Sequence, residues 1–223
     1  MSEFRGIPPG PNVGTQLKAL RRKKKAAEQV EQTGKIVAEK SLFETHASKA
    51  APLADLTPAS VQQWFAAQGW EPFEYQTQVW QAFQKGHSGL LHATTGAGKT
   101  LAVWLGALLR LAQLPQPRGA ATRIMWITPM RALAADSSKA LQKSLSALVG
   151  DCDVALQTGD TDSAARAAIL RKPPFALVTT PESLTLMFTR ASSQPNLSKL
   201  QVLVVDEWHE LIGNKRGVQL QLA

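Results

Sequence analysis

Two stretches far apart in the chain carry residue types suited to one piece of chemistry. In ATTGAGKT, Ala93 to Thr100, Gly96 and Gly98 let the backbone curl so that amide N–H groups point inward, and Lys99 and Thr100 follow. In VLVVDEWHE an apolar run delivers Asp206 and Glu207 side by side, with His209 two residues on. The first stretch suits phosphate oxygens, and Thr95 and Ala97 complete its loop. Lys99 is expected to reach the β- and γ-phosphates of ATP and the Thr100 hydroxyl to ligate Mg²⁺. The second suits the metal and the attacking water. Two adjacent carboxylates at a strand end are costly unless a cation or catalysis compensates them. Asp206 is expected to hold Mg²⁺ and Glu207 to polarise the water that attacks the γ-phosphate. His209 is placed to contact the nucleotide or to relay its state.

These residues need a scaffold that brings strand ends together, and the rest of the pattern describes one. Short apolar runs at Leu90–Ala93, Arg123–Thr128, Asp153–Gln157, Ala176–Thr179 and Val202–Asp206 read as strands. Helical patterns at Lys99–Leu114, Arg131–Val149, Ser163–Leu170 and Glu182–Thr189 separate them. Such alternation predicts an α/β fold with a mostly parallel sheet flanked by helices. Two helices come earlier: one capped by Thr57 with Pro58 in its first turn and Gly69 at its stop, one from Tyr75 ending at Gly86. Trp64, Trp80, Trp104 and Trp126 fall in these patterns and are expected in the core, whereas Trp208 beside the acids is ambiguous.

The 223 residues bound the answer to one main domain, here expected over residues 55–223 after a basic, disordered arm of residues 1–54. The net charge of +8 favours polyanionic partners, but ten of the 25 Lys/Arg lie in the first 50 residues, against five of the 17 Asp/Glu. The run Arg21–Lys25 suits nucleic-acid phosphates, although a solvated arm is the favoured reading. One cysteine, Cys152, excludes an intramolecular disulfide and a cysteine-based zinc site. No apolar window reaches membrane-span length and the N-terminus lacks a secretory core, so a cytoplasmic protein is expected.

Taken with their order, the motifs resemble the DExH branch of the superfamily 2 helicases, whose first domain is a RecA-like P-loop NTPase. GWEPFEYQ resembles the adenine-recognition segment, which implies Gln76 as adenine reader and Trp70 or Phe73 as the stacking aromatic. TPMRALA, Thr128 to Ala134, resembles the segment that grips the nucleic-acid backbone, and TGD (Thr158–Asp160) and TTPESL (Thr179–Leu184) resemble two later strand-contacting segments. The resemblance thus implies Thr128, Pro129, Arg131, Thr158, Gly159, Thr180 and Glu182 as nucleic-acid contacts. Chemically, Arg131 can pair with phosphate, and Thr128 and Thr180 can donate hydroxyl hydrogen bonds to it without reading bases. The set looks like the large helicase-related family, and the compact GWEPFEYQTQVWQAF start suggests its ligase-associated branch.

Membership implies an ATP- and Mg²⁺-dependent DNA translocase of 3'-5' type that unwinds duplexes, RNA–DNA hybrids included, in DNA repair, alongside a DNA ligase and a nuclease. A monomer is expected. Two further parts of the family's motor are not recognisable in these residues: a Ser-Ala-Thr type segment on another strand and an arginine finger, which contributes roughly 10³–10⁵ in rate. By the family's strand order the absent strand lies between the P-loop strand and the one ending at Asp206. Either a gap in the sheet or direct pairing of those two strands is expected. The chain alone is therefore expected to bind ATP and nucleic acid with negligible hydrolysis and no unwinding. Two alternatives stay open: a duplex-DNA translocase that does not separate strands, and an inactive nucleic-acid-binding remnant.

Overall fold

The computed structural model describes residues 52–94, 96–150, 152–189 and 197–222. Contacts divide the chain into two units, Met1–Ser48 and Lys49–Ala223. The first unit lies outside the described residues, as does the expected basic arm except for residues 52–54, where a 3-10 turn, Leu53–Asp55, buries Leu53 in the core.

The second unit opens with helix α1, Pro58–Ala67, whose start is fixed as the sequence predicts: Thr57 Oγ1 accepts from the Ser60 amide at 3.2 Å and Pro58 occupies the first turn. Helix α2, Glu74–Gln84, and helix α3, Lys99–Ala112, follow and pack closely on each other. Then strands and helices alternate: β1 Ile124–Ile127, α4 Arg131–Leu148, β2 Val154–Gln157, α5 Ser163–Arg171, β3 Ala176–Thr179, α6 Pro181–Phe188, β4 Val202–Val205 and α7 Lys215–Leu222.

All pairings are parallel, in the order β2-β3-β1-β4. Ile127 lies level with Thr179 and Val205, and Gln157 with Thr179, so the four strands end along one edge. That register delivers residues 128, 158, 180 and 206 to the same rim, the place where open α/β sheets bind ligands. Strand residues alternate between two cores. Ile124, Trp126, Val178 and Val204 meet Val61, Phe65, Trp80, Leu105 and Leu141 of α1–α4. Met125, Ile127 and Leu177 meet Leu184 and Met187 of α6. Helices thus cover both faces. Trp80, Trp104 and Trp126 are buried and Trp64 packs against the same core.

One expected strand does not form. Leu90–Ala93 is irregular backbone, and Leu90 is 81% exposed. A strand exists only through its ladder, and β4, whose inner neighbour is β1, has no partner on its outer side among the described residues. Neither of the two outcomes expected for that place is observed: without a P-loop strand there is no gap within the sheet, and β4 is left at an open edge among the described residues. Leu203 of β4 is 56% exposed there.

Candidate functional site

The Gly-rich turn owes its shape to the segment before α2. Gly98 sits at φ +82°, ψ +25°, a left-handed conformation that starts α3 at Lys99. Beneath it lies Gln76, 2% exposed, with both ends of its amide engaged: Oε1 accepts from the Phe73 amide at 2.9 Å and Nε2 donates to the Gly98 carbonyl at 3.1 Å. The Tyr75 hydroxyl donates to the next carbonyl, that of Ala97. A Cβ on Gly98 would stand 2.8 Å from Gln76 Nε2. The residue expected to read adenine is therefore also a strut under the turn. Of the two expected stacking aromatics, Phe73 is 60% exposed and lies nearly parallel to Tyr75, with ring centroids 5.9 Å apart. Trp70 turns its edge to Trp64 and Phe65, on the side of α1.

Lys99 Nζ donates to the Ala93 carbonyl at 2.8 Å, closing the turn on itself. Its charge also reaches Asp206, where it favours the ionised carboxylate. That influence is the weakest of those acting on the acid. Thr95 lies outside the described residues, and Gly96, Ala97 and Thr100 are in the turn and the first turn of α3.

Asp206 is gripped on both oxygens: Trp126 Nε1 donates to Oδ2 at 3.2 Å and the Glu207 amide to Oδ1 at 3.0 Å. Burial nevertheless raises its pKa above the ordinary carboxylate value, and the Glu207 charge adds to that; the two hydrogen bonds and Lys99 oppose it. Glu207 adopts φ +47°, the one left-handed non-glycine residue described. Such strain concentrates at functional sites, and here it turns the chain from Asp206 into the short 3-10 turn Trp208–Glu210. His209 is exposed between two acids, Nδ1 3.4 Å from Glu207 Oε2 and Nε2 3.5 Å from Glu210 Oε1. Asp206 and Thr100 are hard oxygen donors. Two such protein ligands leave the other positions of an octahedral Mg²⁺ to phosphate oxygens and water, which is how this ion is usually held.

Along the rim, the loops after β1, β2 and β3 are tied to one another. Arg131 Nη1 meets Asp160 Oδ1 at 2.6 Å, both side chains well exposed, and its guanidinium crosses over Gly159. Arg166 Nη2 donates to the Gly159 carbonyl at 2.9 Å. Arg216 Nε meets Glu182 Oε1 at 2.7 Å while its Nη1 donates to the Pro129 carbonyl at 3.1 Å.

The threonines correct a detail of the expected contacts. Thr128 is fully buried, its hydroxyl donating to the Met130 carbonyl at 3.2 Å. Thr180 is also buried, its hydroxyl 3.4 Å from that of Ser183. Thr158 is 6% exposed. As placed, the Thr128 and Thr180 hydroxyls brace their own turns rather than face outward, and at Thr158 it is the amide that is held, donating to the Thr161 hydroxyl at 2.9 Å. Their positions, each just past a buried strand end, explain why: a β-strand's last side chains still point into the layers.

Sequence reasoning missed Tyr75, Arg166, the Trp126 clamp on Asp206 and the role of Arg216. A single indole can be core and ligand-holder at once, because its body is apolar and its N–H needs an acceptor. Only the β1–β4 adjacency, which no local pattern encodes, would have revealed it.

Comparison with known proteins agrees with this architecture. Residues 73–223 match the model of the DEAD/DEAH box helicase family. The Lhr helicase/uracil glycosylase of Escherichia coli is 34% identical over 187 residues, 77% of this chain and 12% of that protein. The ATP-dependent helicase Lhr-Core of Methanothermobacter thermautotrophicus is 33% identical over 174 residues, 73% of this chain and 20% of that protein. The solved structure of Mycobacterium smegmatis helicase Lhr bound to ssDNA and AMP-PNP superposes with a TM-score of 0.66 at 33% identity, over 77% of this chain and 23% of that one. The chain thus spans about a fifth or less of these Lhr helicases' sequences. With the family model covering most of its length and the sheet ordered as described, the chain belongs to the DEAD/DEAH box helicase family.

Proposed function

We propose that this chain is the first motor domain of an Lhr-type, ATP-dependent DNA helicase, binding Mg²⁺-ATP and a nucleic-acid strand along one sheet edge. The observation that carries the reading is the parallel register that ends the strands along one rim, where Asp206, held by Trp126, stands with Arg131, Gly159 and Glu182. A related helicase solved with ssDNA and AMP-PNP supports the same pair of ligands. In this reading the Gly96–Gly98 turn and Lys99 hold the phosphates, with the positive end of α3 behind them. Thr100 and Asp206 would hold Mg²⁺, which neutralises charge on the transferring phosphoryl group. Glu207 orients the attacking water and takes its proton, and Phe73 offers the face on which a base stacks. Arg131 pairs with backbone phosphate, aided by the loops at Pro129, Thr158, Gly159, Thr180 and Glu182.

The finer parts of the proposal follow from the resemblance. They are translocation of 3'-5' type, unwinding of DNA or RNA–DNA hybrids, a repair role beside a ligase and a nuclease, and residence in the cytoplasm as a monomer. No described helix is long and apolar enough to cross a membrane. The chain by itself is proposed to bind both ligands and to hydrolyse ATP negligibly.

Binding of a fluorescent ATP analogue and of a labelled oligo-dT, each with and without Mg²⁺, tests the reading. Saturable binding of both, with Mg²⁺ needed only for the nucleotide, is the expected result. Nucleotide binding that survives Lys99→Ala unchanged would overturn it, and a DNA-stimulated ATPase rate equal to that of a full-length helicase would refute the claim of negligible hydrolysis.

A further inference from the structure

The segment GNKRG, residues 213–217, follows the acid pair and closes the stretch VDEWHELIGNKRG, which belongs to the family resemblance without implying a role for Arg216. Its geometry is specific. From Asp206 the chain runs through consecutive tight turns, closed by the Glu210 amide on the Glu207 carbonyl at 2.9 Å and the Leu211 amide on the Trp208 carbonyl at 3.0 Å. Asn214 then ties the end of that turn to the start of α7. Its Nδ2 donates to the Glu210 carbonyl, and its Oδ1 accepts from the amides of Arg216 at 2.9 Å and Gly217 at 3.1 Å. Gly217 is buried, and a Cβ on it would lie 2.0 Å from the Leu211 carbonyl oxygen. No side chain fits there, so α7 can sit hard against the turn that carries the acids. Leu211 itself is fully buried.

From this braced helix the Arg216 guanidinium reaches the rim with two different nitrogens, to the Pro129 carbonyl after β1 and to Glu182 at the start of α6. A planar guanidinium fixes such a two-point contact in direction as well as distance, which an ammonium does not.

We propose that Arg216 is a positioning residue that couples the acid pair to both strand-contacting loops, holding Pro129 and Glu182 to the helix that follows Asp206 and Glu207. The inference rests on the reading of those loops as a nucleic-acid surface. A change in the turn at 206–211 on nucleotide binding moves α7, and α7 carries both loops with it through one side chain. Arg216 touches neither nucleotide nor metal in this scheme.

The test measures the affinity of this chain for fluorescein-labelled oligo-dT with and without Mg²⁺-AMP-PNP, whose ratio is the coupling factor between the sites. A factor of about fivefold or more is expected in the unaltered chain. Arg216→Gln and Arg216→Lys are both expected to bring it to about one. AMP-PNP affinity without oligonucleotide should stay within about twofold, and the melting temperature should hold. The Lys variant keeps the charge and loses the two-point geometry, so an unaltered factor there overturns the proposal. A parallel fall of melting temperature and both affinities would also overturn it, leaving only a static brace. Should Arg216→Gln not fold, Glu182→Gln breaks one anchor alone and must still lower the factor; no change would count against the coupling. An unaltered chain that binds both probes with a factor of one refutes the coupling only, whereas one that binds neither refutes the proposed function itself.

Discussion

The two halves of the rim are held by different forces. Around the Gly-rich turn the ties are hydrogen bonds to backbone from partly or fully buried groups: Gln76 to Gly98, Tyr75 to Ala97, Lys99 to Ala93. Across the strand-contacting loops they are exposed ion pairs, Arg131 with Asp160 and Arg216 with Glu182. Buried hydrogen bonds cannot be exchanged for water without a desolvation cost, so they keep a cradle in shape before its ligand arrives. Exposed ion pairs are worth about 0–1 kcal/mol and weaken with salt, so a phosphate can replace Asp160 as the partner of Arg131, whereas Arg216 is held a second time by the Pro129 carbonyl. One half is preorganised and the other is exchangeable, which suits a motor that grips nucleotide precisely and nucleic acid repeatedly.

The largest test of this contrast is at Lys99. Lys99→Ala removes a charge-assisted contact to phosphate, worth about 1.5–3 kcal/mol, so nucleotide affinity should fall roughly tenfold to a hundredfold. Oligonucleotide binding without nucleotide should not change, as anisotropy titration can check. Gly98→Ala comes next. It sets a Cβ 2.8 Å from the Gln76 amide at a φ of +82°, and strain of that kind costs about 1–3 kcal/mol. Chemical denaturation should register that loss, together with weaker nucleotide binding.

Asp206 offers a smaller effect, read as a dependence on pH. Burial and the Glu207 charge raise its pKa, so the folded chain holds this proton more tightly than the unfolded chain does. Stability contributed by the protonated acid is complete below the ordinary carboxylate pKa and is lost as pH rises through the raised one. Asp206→Asn removes that titration but has one acceptor oxygen where the carboxylate has two, so the Trp126 indole or the Glu207 amide loses its partner and no net stabilisation at neutral pH is expected. It should flatten the dependence of melting temperature on pH across that window while abolishing Mg²⁺-dependent nucleotide binding. A variant whose melting temperature keeps the parent's dependence on pH would contradict this account of the acid pair.

What could be read from the sequence divides along the same line. Local signals were sufficient for α1 with its Thr57 cap, for the apolar runs that became β1 to β4, and for the turn at Gly98, because each depends on neighbours a few residues away. The run Leu90–Ala93 looks equally strand-like, yet forms no ladder, since pairing depends on a neighbour that local composition does not report. Trp126 reads as a core residue and is one, but its N–H also holds Asp206, a contact between positions 80 residues apart. Arg216 lies in VDEWHELIGNKRG, a stretch that carries part of the family resemblance, yet nothing in it reports the contacts to Pro129 and Glu182 until α7 is docked. The threonines at strand ends mislead for a simpler reason: residue type announces a donor, whereas only the turn decides which way it points.

The smallest effect sharpens the comparison most. Asp160 occupies the Arg131 guanidinium in the free chain, so Asp160→Asn should free that arginine and strip a repelling charge from the rim. Oligo-dT affinity should rise by about threefold at low salt, consistent with the loss of one exposed pair. The gain should shrink as salt is raised, because the strand contact it favours is itself screened. Arg131→Ala should do the reverse, weakening binding uniformly across sequences and reducing the salt slope by about 0.7, the value for one phosphate contact to a single strand. Nucleotide binding should ignore both changes, since neither residue touches the cradle. If Asp160→Asn instead weakens strand binding, the ion pair is a fixed part of the surface and the loops are preorganised after all.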